Sequence, residues 1–381
     1  MPDHIQQLRD AGLVPVQPIT HGSDWNTLNT CEFLYFLTRR LGLRSIFRIS
    51  EALQRGSWFH YWLQFHNCGS GQADLVLQTL RERQGELRSN CTDCGIGPVE
   101  RDMVLATEER YCLESGAMYN SMKRIKVSDG MTVFDKLGMV FDVIVGTEIQ
   151  VEVDNRIITI DLLGYSQKNN ALWIVDYKTC SCLPMVRLQI CPLEFQTQHY
   201  IITLDAAVSK GRLEHLGIGR NVEVGGMIHV AMTKPTIKFG TLDRPFTEKE
   251  HTLLSGPRKG QVETRRTYFG EPDVKLYANR VNDWYDGFHE REKEPPVNLS
   301  WTAAAQPDSW YTLYSQRVNK LAHFATRNPE PADFIQSSKH LITHDGLHPF
   351  LPYYMTDIPS WPSVMREFNH RVHHRDTKEH T

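Results

Sequence analysis

Ile157-Ile-Thr-Ile-Asp161-Leu-Leu, Leu172-Trp-Ile-Val-Asp176-Tyr-Lys178-Thr and Gln196-Thr-Gln-His-Tyr200 follow one another in a single stretch, and their reading decides the fold. The first is an apolar strand carrying one carboxylate. Ser166-Gln-Lys-Asn-Asn170 is a polar turn, and the second segment is another apolar strand, ending in Asp-x-Lys. Asp176 and Lys178 are two apart on a strand and so point to the same face. Asp161 lies on the neighbouring strand of the hairpin. Two carboxylates beside a lysine can hold a hard divalent cation, which takes oxygen ligands and keeps several waters. Such an ion polarises a phosphoryl oxygen and lowers the pKa of a bound water, chemistry that suits phosphodiester hydrolysis. Lys178 can orient that water or neutralise charge on the scissile phosphate. A lysine beside a metal is also expected to be pushed toward its neutral form.

Each of these residues has an ordinary alternative. Asp-x-Lys at a strand end is commonly a solvated turn or an exposed ion pair. Asp161 in an apolar strand argues against that, because a buried carboxylate is costly unless paired or metal-bound. Pro192 to Val208 reads as a helix, which puts Gln196 and Tyr200 on one face. There Gln196 can bond a metal-ligating carboxylate, and Tyr200 can stack on a base or bond a phosphate. The same face could simply pack on the sheet. His60, among Trp58, Phe59, Tyr61 and Trp62, can ligate metal or contact phosphate, or can be a residue at the core's edge.

Ile174-Val-Asp176-Tyr-Lys178-Thr resembles the Asp-Tyr-Lys-Thr signature of RecB-type nucleases, in the PD-(D/E)xK superfamily. Gly56-Ser-Trp-Phe-His60 is similar to their Gly-x-x-x-His helix start, and Gln196-Thr-Gln-His-Tyr200 to their Gln-x-x-x-Tyr motif. Trp25-Asn-Thr-Leu-Asn-Thr-Cys31-Glu-Phe-Leu-Tyr-Phe is similar to the first-helix segment in which a Cys precedes aromatic residues. The resemblance covers roughly residues 24 to 208, with its four motifs in the family's order. It implies an α/β fold: a mixed central sheet flanked by helices, a restriction-endonuclease-like core with insertions. It implies Asp161, Asp176, Lys178, Gln196 and Tyr200 as catalytic residues and His60, Asp161 and Asp176 as metal ligands, with Mg²⁺ or Mn²⁺ bound. DNA is the implied substrate. An exonuclease acting on DNA ends in recombination or repair, of the kind phages use, is the expected activity, with a single-strand annealing or recombination protein as a candidate partner. The alternative is a catalytically silent nuclease-fold subunit for DNA binding or assembly. The intact Asp161, Asp176 and Lys178 argue against it.

Some RecB-type members, Cas4-like ones among them, hold an iron–sulfur cluster on one early and three late cysteines. Cys31 would be the early one, but Cys180, Cys182 and Cys191 follow directly on the active-site lysine, where the late trio does not belong. No cluster is expected, and Cys31 reads as a buried helix residue. Cys91-Thr-Asp-Cys94, with Cys68 and His66 upstream and Cys112 downstream, could bind a structural Zn²⁺. With a single C-x-x-C pair, reduced thiols in a polar insertion are the favoured reading, and disulfides are not expected.

The formal net charge is −3, so any DNA-binding cations must be concentrated locally. Lys123-Arg124-Ile-Lys126, Arg258-Lys259 and Arg265-Arg266 are the candidates, each equally readable as a solvated face. No apolar run approaches the roughly 18 residues of a membrane span, and the first residues do not read as a signal peptide. A cytoplasmic place, in a bacterial or phage-infected cell, is therefore expected. No G-x-x-x-x-G-K-[ST] helicase signature is present, which suggests a standalone nuclease. The chain divides into a nuclease core, 1–235, with a Cys-containing insertion over about 66–101, and a C-terminal elaboration, 236–381. Helices are expected over 26–40, from Gly56 to Phe65, and over 108–126, where Glu108, Glu109 and Glu114 offer an extra acidic group. Further helices are expected over 274–294 and 310–326. Alternating strands are expected from Val133 to Asp154, notably over 139–145 and 148–153, and another over 222–232. Beyond Pro235 the pattern weakens, and Trp361–Thr381 ends in a His-rich tail.

Overall fold

A computed structural model of the chain describes residues 13, 20–30, 32–45, 51–93, 97–127, 130–253, 255, 257, 261–292 and 294–326, with short pieces at 342–343, 346–347 and 370–372. Strand β1 (Thr20–His21) leads into helix α1 (Asp24–Thr30), a short turn of helix and a π-helical stretch, Phe36–Arg40. After β2 (Leu43–Ser45) come four helices: α2 (Glu51–Gln64), α3 (Gln72–Asp93), α4 (Pro98–Arg124) and α5 (Val133–Val140). The strands β3 (Val143–Val153), β4 (Arg156–Ser166) and β5 (Ala171–Cys180) follow, then α6 (Pro184–Ile190) and α7 (Phe195–Ser209). The chain continues through β6 (Glu223–Thr233), β7 (Phe246–Thr252), β8 (Val262–Tyr268), α8 (Val274–Asp286), a short helix Phe288–Glu292, β9 (Val297–Ala303) and α9 (Asp308–Thr326), with two-to-three-residue strands after it.

The central sheet runs β1-β4-β5-β6-β9, with β3 paired to β4. It is mixed: β3–β4, β4–β5 and β6–β9 are antiparallel, whereas β1–β4 and β5–β6 are parallel. Asp154 and Asn155 join β3 to β4 with φ of 52° and 57°, the pair of left-handed residues that a two-residue hairpin with the strands' own twist requires. Alternation along β5 sends Val175 and Tyr177 into one apolar layer, with Phe59 and Leu63 of α2, Met118 and Met122 of α4 and Tyr277 of α8. Ile174 goes to the opposite layer, where Ile201, Leu204 and Val208 of α7 pack. The expected mixed sheet between helical layers is therefore the fold.

Several segments differ from their sequence reading. Val133–Val140 is helical, because Thr132 and Asp135 form a capping box: Thr132 Oγ1 accepts from Asp135 N at 3.2 Å, and Asp135 Oδ2 accepts from Thr132 N at 2.8 Å. The two short strands expected beyond it are one continuous strand, β3. Much of 66–101 is helical despite its Gly, Ser and Asn content, with α3 packing Val76 and Leu80 against Trp58 of α2. Beyond Pro235, β7 and β8 form a separate two-stranded hairpin whose side chains are mostly exposed. The sheet's outer strand β9 also comes from this part of the chain. The His-rich tail lies outside the described residues except for His370–Val372, which pairs with β2.

Candidate active site

The sheet forks at Asp161. Strand β3 occupies one edge of β4 along most of its length, so β1 and β5 must share the other edge. β1 pairs with Arg156 and Ile157, and β5 pairs with Leu162 to Ser166. Asp161 falls in the gap. The β4–β5 ladder ends at Leu162–Val175, and the next donor, Tyr177 N, bonds to Asp161 Oδ2 at 2.8 Å. The carboxylate thus stands in for a strand carbonyl and props the fork open. His199 of α7 holds the other prong: its Nε2 donates toward Thr20 O at 3.1 Å and Ile157 O at 3.3 Å, and its Nδ1 accepts from Tyr314 at 3.1 Å. Burial lowers the His199 pKa to about 4, which matches this neutral form.

His60 reaches the fork from α2. Its Nδ1 lies 3.4 Å from Asp161 Oδ1 and 3.6 Å from Glu148 Oε1. One ligand atom from each of these three residues lies within 4.8 Å of the others. One imidazole nitrogen and two carboxylates leave room for waters, and cis ligands on a Mg²⁺-sized ion sit ~3 Å apart, so the donor set fits such an ion. Burial opposes charge on His60, but Asp161 and then Glu148 outweigh it and push its pKa up to about 10. A proton on His60 offsets the two carboxylates here.

Asp176 is 2% exposed and sits beside this trio rather than within it. Lys178 Nζ lies 2.8 Å from Asp176 Oδ1 and donates to Gln196 Oε1 at 2.9 Å, while Gln196 Nε2 donates to Asp176 Oδ1 at 3.3 Å. The amide orientation follows from its neighbours, since the ammonium needs an acceptor and the carboxylate a donor. Behind Asp176, the buried His229 of β6 faces its Oδ2 at 3.6 Å. Against the opposing effect of burial, Lys178 and then His229 hold the Asp176 carboxyl well below the usual carboxylate range. Lys178 is in turn pushed up, because Asp176 and Asp161 outweigh its own burial. Two carboxylates face the lysine, and it stays charged in the metal-free site.

Tyr200, one turn beyond Gln196, is held above the usual phenol range by burial, then by the charges of Asp176 and Asp161. Gly22 lies on both α7 residues. A Cβ there would come 2.8 Å from Tyr200 Cε1 and 3.0 Å from Gln196 Cγ. His60, Glu148 and Lys178 line an open cleft of about 660 Å³ together with Tyr61, Thr179 and Lys234.

All six residues proposed from sequence therefore gather around one fork in the sheet. Glu148, His229 and Lys234 were not foreseen. Glu148 left a trace, since Gly146-Thr-Glu148 interrupts the apolar alternation between Val145 and Ile149. Its φ of 51° is left-handed, a strained conformation for a residue with a side chain, of the kind that collects at functional sites. The acids expected on α4 lie elsewhere: Glu108 accepts from Trp58 Nε1 at 2.7 Å, and Glu114 faces Arg55 at 3.3 Å. The short basic runs are largely neutralised locally, Arg124 by Asp286 at 2.7 Å and Arg266 by Glu248 at 2.8 Å, while Arg258 and Lys259 lie outside the described residues.

Of the cysteines, Cys91 and Cys112 are buried, as are Cys180 and Cys191, and Cys182 is exposed. Burial, then Glu108 and Glu109, push the Cys112 thiol up to about 12. Cys31, Cys94 and the Cys68 side chain lie outside the described residues. No described helix is long and apolar enough to cross a membrane.

No curated protein matches the chain. A family model for the PD-(D/E)XK nuclease superfamily matches residues 23–294, a span that holds β4, β5 and every residue of the cluster. That span is well over half of the sequence, and the chain belongs to the PD-(D/E)XK nuclease superfamily, whose members typically use divalent metal ions.

Proposed function

We propose that the protein is a metal-dependent DNA exonuclease of the RecB type, hydrolysing phosphodiester bonds at DNA ends during recombination or repair. One observation carries the reading: the His60–Glu148–Asp161 trio stands beside the Asp176–Lys178–Gln196 triangle at the open fork of the sheet. In this reading Asp161, Asp176 and Glu148 would supply carboxylate oxygens to Mg²⁺ or Mn²⁺, and His60 would join them through a ring nitrogen once the ion displaces its proton. The ion, when bound, polarises the phosphoryl oxygen and lowers the pKa of a water.

The chain's own residues do the rest. Lys178 stays charged and stabilises negative charge as it builds on the phosphate. Gln196 holds Lys178 and Asp176 in register with each other. Tyr200, one turn beyond Gln196, is available to a phosphate or a base. Asp161, by bonding Tyr177 N, keeps the fork open for substrate. DNA is the partner, acted on by a cytoplasmic, phage-type enzyme alongside a single-strand annealing or recombination protein. The division into a core, 1–235, and a C-terminal elaboration, 236–381, is part of the same reading, as is a structural Zn²⁺ on Cys68, Cys91, Cys94 and Cys112 as a lesser expectation.

The test is incubation with end-labelled linear and covalently closed circular DNA, single- and double-stranded, in Mg²⁺, Mn²⁺ or EDTA. Metal-dependent loss of linear DNA with circular DNA spared is expected. Cleavage of circles at the same rate would replace the exonuclease by an endonuclease. No cleavage of any substrate, with DNA still bound, would make the chain a silent binding or assembly subunit.

A further inference from the structure

Lys234 stands one residue past the end of β6 and lines the same cleft as His60, Glu148 and Lys178. Its position is fixed by its backbone, since Lys234 N donates to Cys180 O at 2.7 Å, at the end of the strand that bears Lys178. The side chain is half-buried, and among the described residues no carboxylate pairs with it. Glu148, the one acid lining the cleft, faces His60, and Glu114 faces Arg55. Burial lowers the Lys234 pKa, and Arg55 adds to the effect against smaller opposing effects of Cys180 and Glu114. Gly56 lines the same cleft, and a Cβ there would meet Thr179 Oγ1 at 3.9 Å. A half-buried ammonium at a wide cleft mouth calls for an anion from outside.

We infer that Lys234 binds a backbone phosphate of the nucleic acid that flanks the one being cleaved, and so sets the register of the strand at the fork. The spacing suits a neighbouring phosphate rather than the scissile one. Lys178 pairs with Ala231, and Lys234 lies three residues further along, about 10 Å of strand. The role is that of a positioning residue: it makes a uniform, sequence-independent contact that fixes the substrate without touching the reacting atoms. This inference rests on the nuclease reading above.

The experiment measures binding of a fluorescein-labelled DNA 20-mer to the full chain in EDTA across a salt series, with cleavage in Mg²⁺ measured in parallel. Lys234→Gln keeps most of the stem and loses the charge. It should weaken binding roughly 3–10-fold at low salt and reduce the slope of log K against log salt by about one. Its KM should rise by more than its kcat falls, and Lys234→Arg should restore the slope. Lys168→Ala, at the exposed turn between β4 and β5, is the control for loss of any lysine and should leave the slope as in the wild type. If the wild type binds and cleaves DNA while Lys234→Gln keeps the full slope and KM, the assignment of Lys234 is wrong and the nuclease reading stands. If the wild type neither binds nor cleaves DNA, both fall together.

Discussion

Asp161 Oδ2 accepts the backbone N–H of Tyr177 at 2.8 Å, so the carboxylate that ends the β4–β5 ladder is also the one that faces His60. A buried amide left without a partner costs about 1–3 kcal/mol, so the same side chain serves structure and site. Asp161→Asn can point its amide oxygen at Tyr177 and keep that bond, whereas Asp161→Ala cannot. The alanine variant is therefore expected to be less stable than the asparagine variant by about 1–3 kcal/mol, measured by urea denaturation without metal. Equal stabilities would mean that the fork is held open by other contacts.

Glu148 separates backbone strain from chemistry. Its left-handed φ disfavours any residue with a Cβ by roughly 1–2 kcal/mol, so Glu148→Gly should be more stable than Glu148→Ala by about 1 kcal/mol. Both should cleave poorly, and Glu148→Gln should need at least about 10-fold more Mg²⁺ for half-maximal rate, the low end of the loss seen when metal-site support is removed. A glycine variant no more stable than the alanine variant would show that the strand relaxes around position 148.

Lys178 and Gln196 should fail differently. Lys178→Ala leaves the buried Asp176 carboxylate short of a cation, so it should lose several kcal/mol of stability without metal and fall by roughly 10²–10³ in single-turnover rate. Lys178→Arg should rescue poorly, because a planar guanidinium does not fit a point that an ammonium shares between Asp176 and Gln196. Gln196→Ala should mainly raise the Mg²⁺ requirement, by roughly 10–100-fold. An unchanged single-turnover rate in Lys178→Ala would reduce the lysine to a structural ion pair.

His199 carries a pH signature of its own. Its folded pKa, lowered to about 4, lies below the ordinary imidazole value, so the unfolded chain takes up a proton that the folded one refuses. The stability it contributes is present above pH ~6.5 and is lost as pH falls toward 4, by at most about 3 kcal/mol. His199→Gln should flatten that part of the stability–pH curve. A curve that keeps the wild-type drop would assign it to other groups.

The sequence made the hairpin legible because its two apolar strands and polar turn leave little choice of register, and register alone aligns Asp161 with Asp176 and Lys178. The Gln196–Tyr200 spacing was readable for a similar reason, since four residues are one helical turn. Glu148 was harder to see. Its carboxylate reaches the site through a left-handed residue inside a strand, and the sequence shows only a break in alternation there. His229 looked like part of an apolar strand because its role depends on β6 lying beside β5, a pairing made across two helices. Lys234 is placed by the same long-range pairing. Val133–Val140 was misread because apolar residues at short spacing suit either a strand or a helix. The capping box formed by Thr132 and Asp135 decided it.

Cleavage of end-labelled linear double-stranded DNA under single-turnover conditions, by the wild type and by Asp176→Asn at equal folded concentration across a Mg²⁺ and Mn²⁺ series, tests the central claim most directly. Metal-dependent cleavage by the wild type is expected, with the asparagine variant folded, DNA-binding and slower by several orders of magnitude. Cleavage by Asp176→Asn at the wild-type rate would place the chemistry somewhere other than this fork.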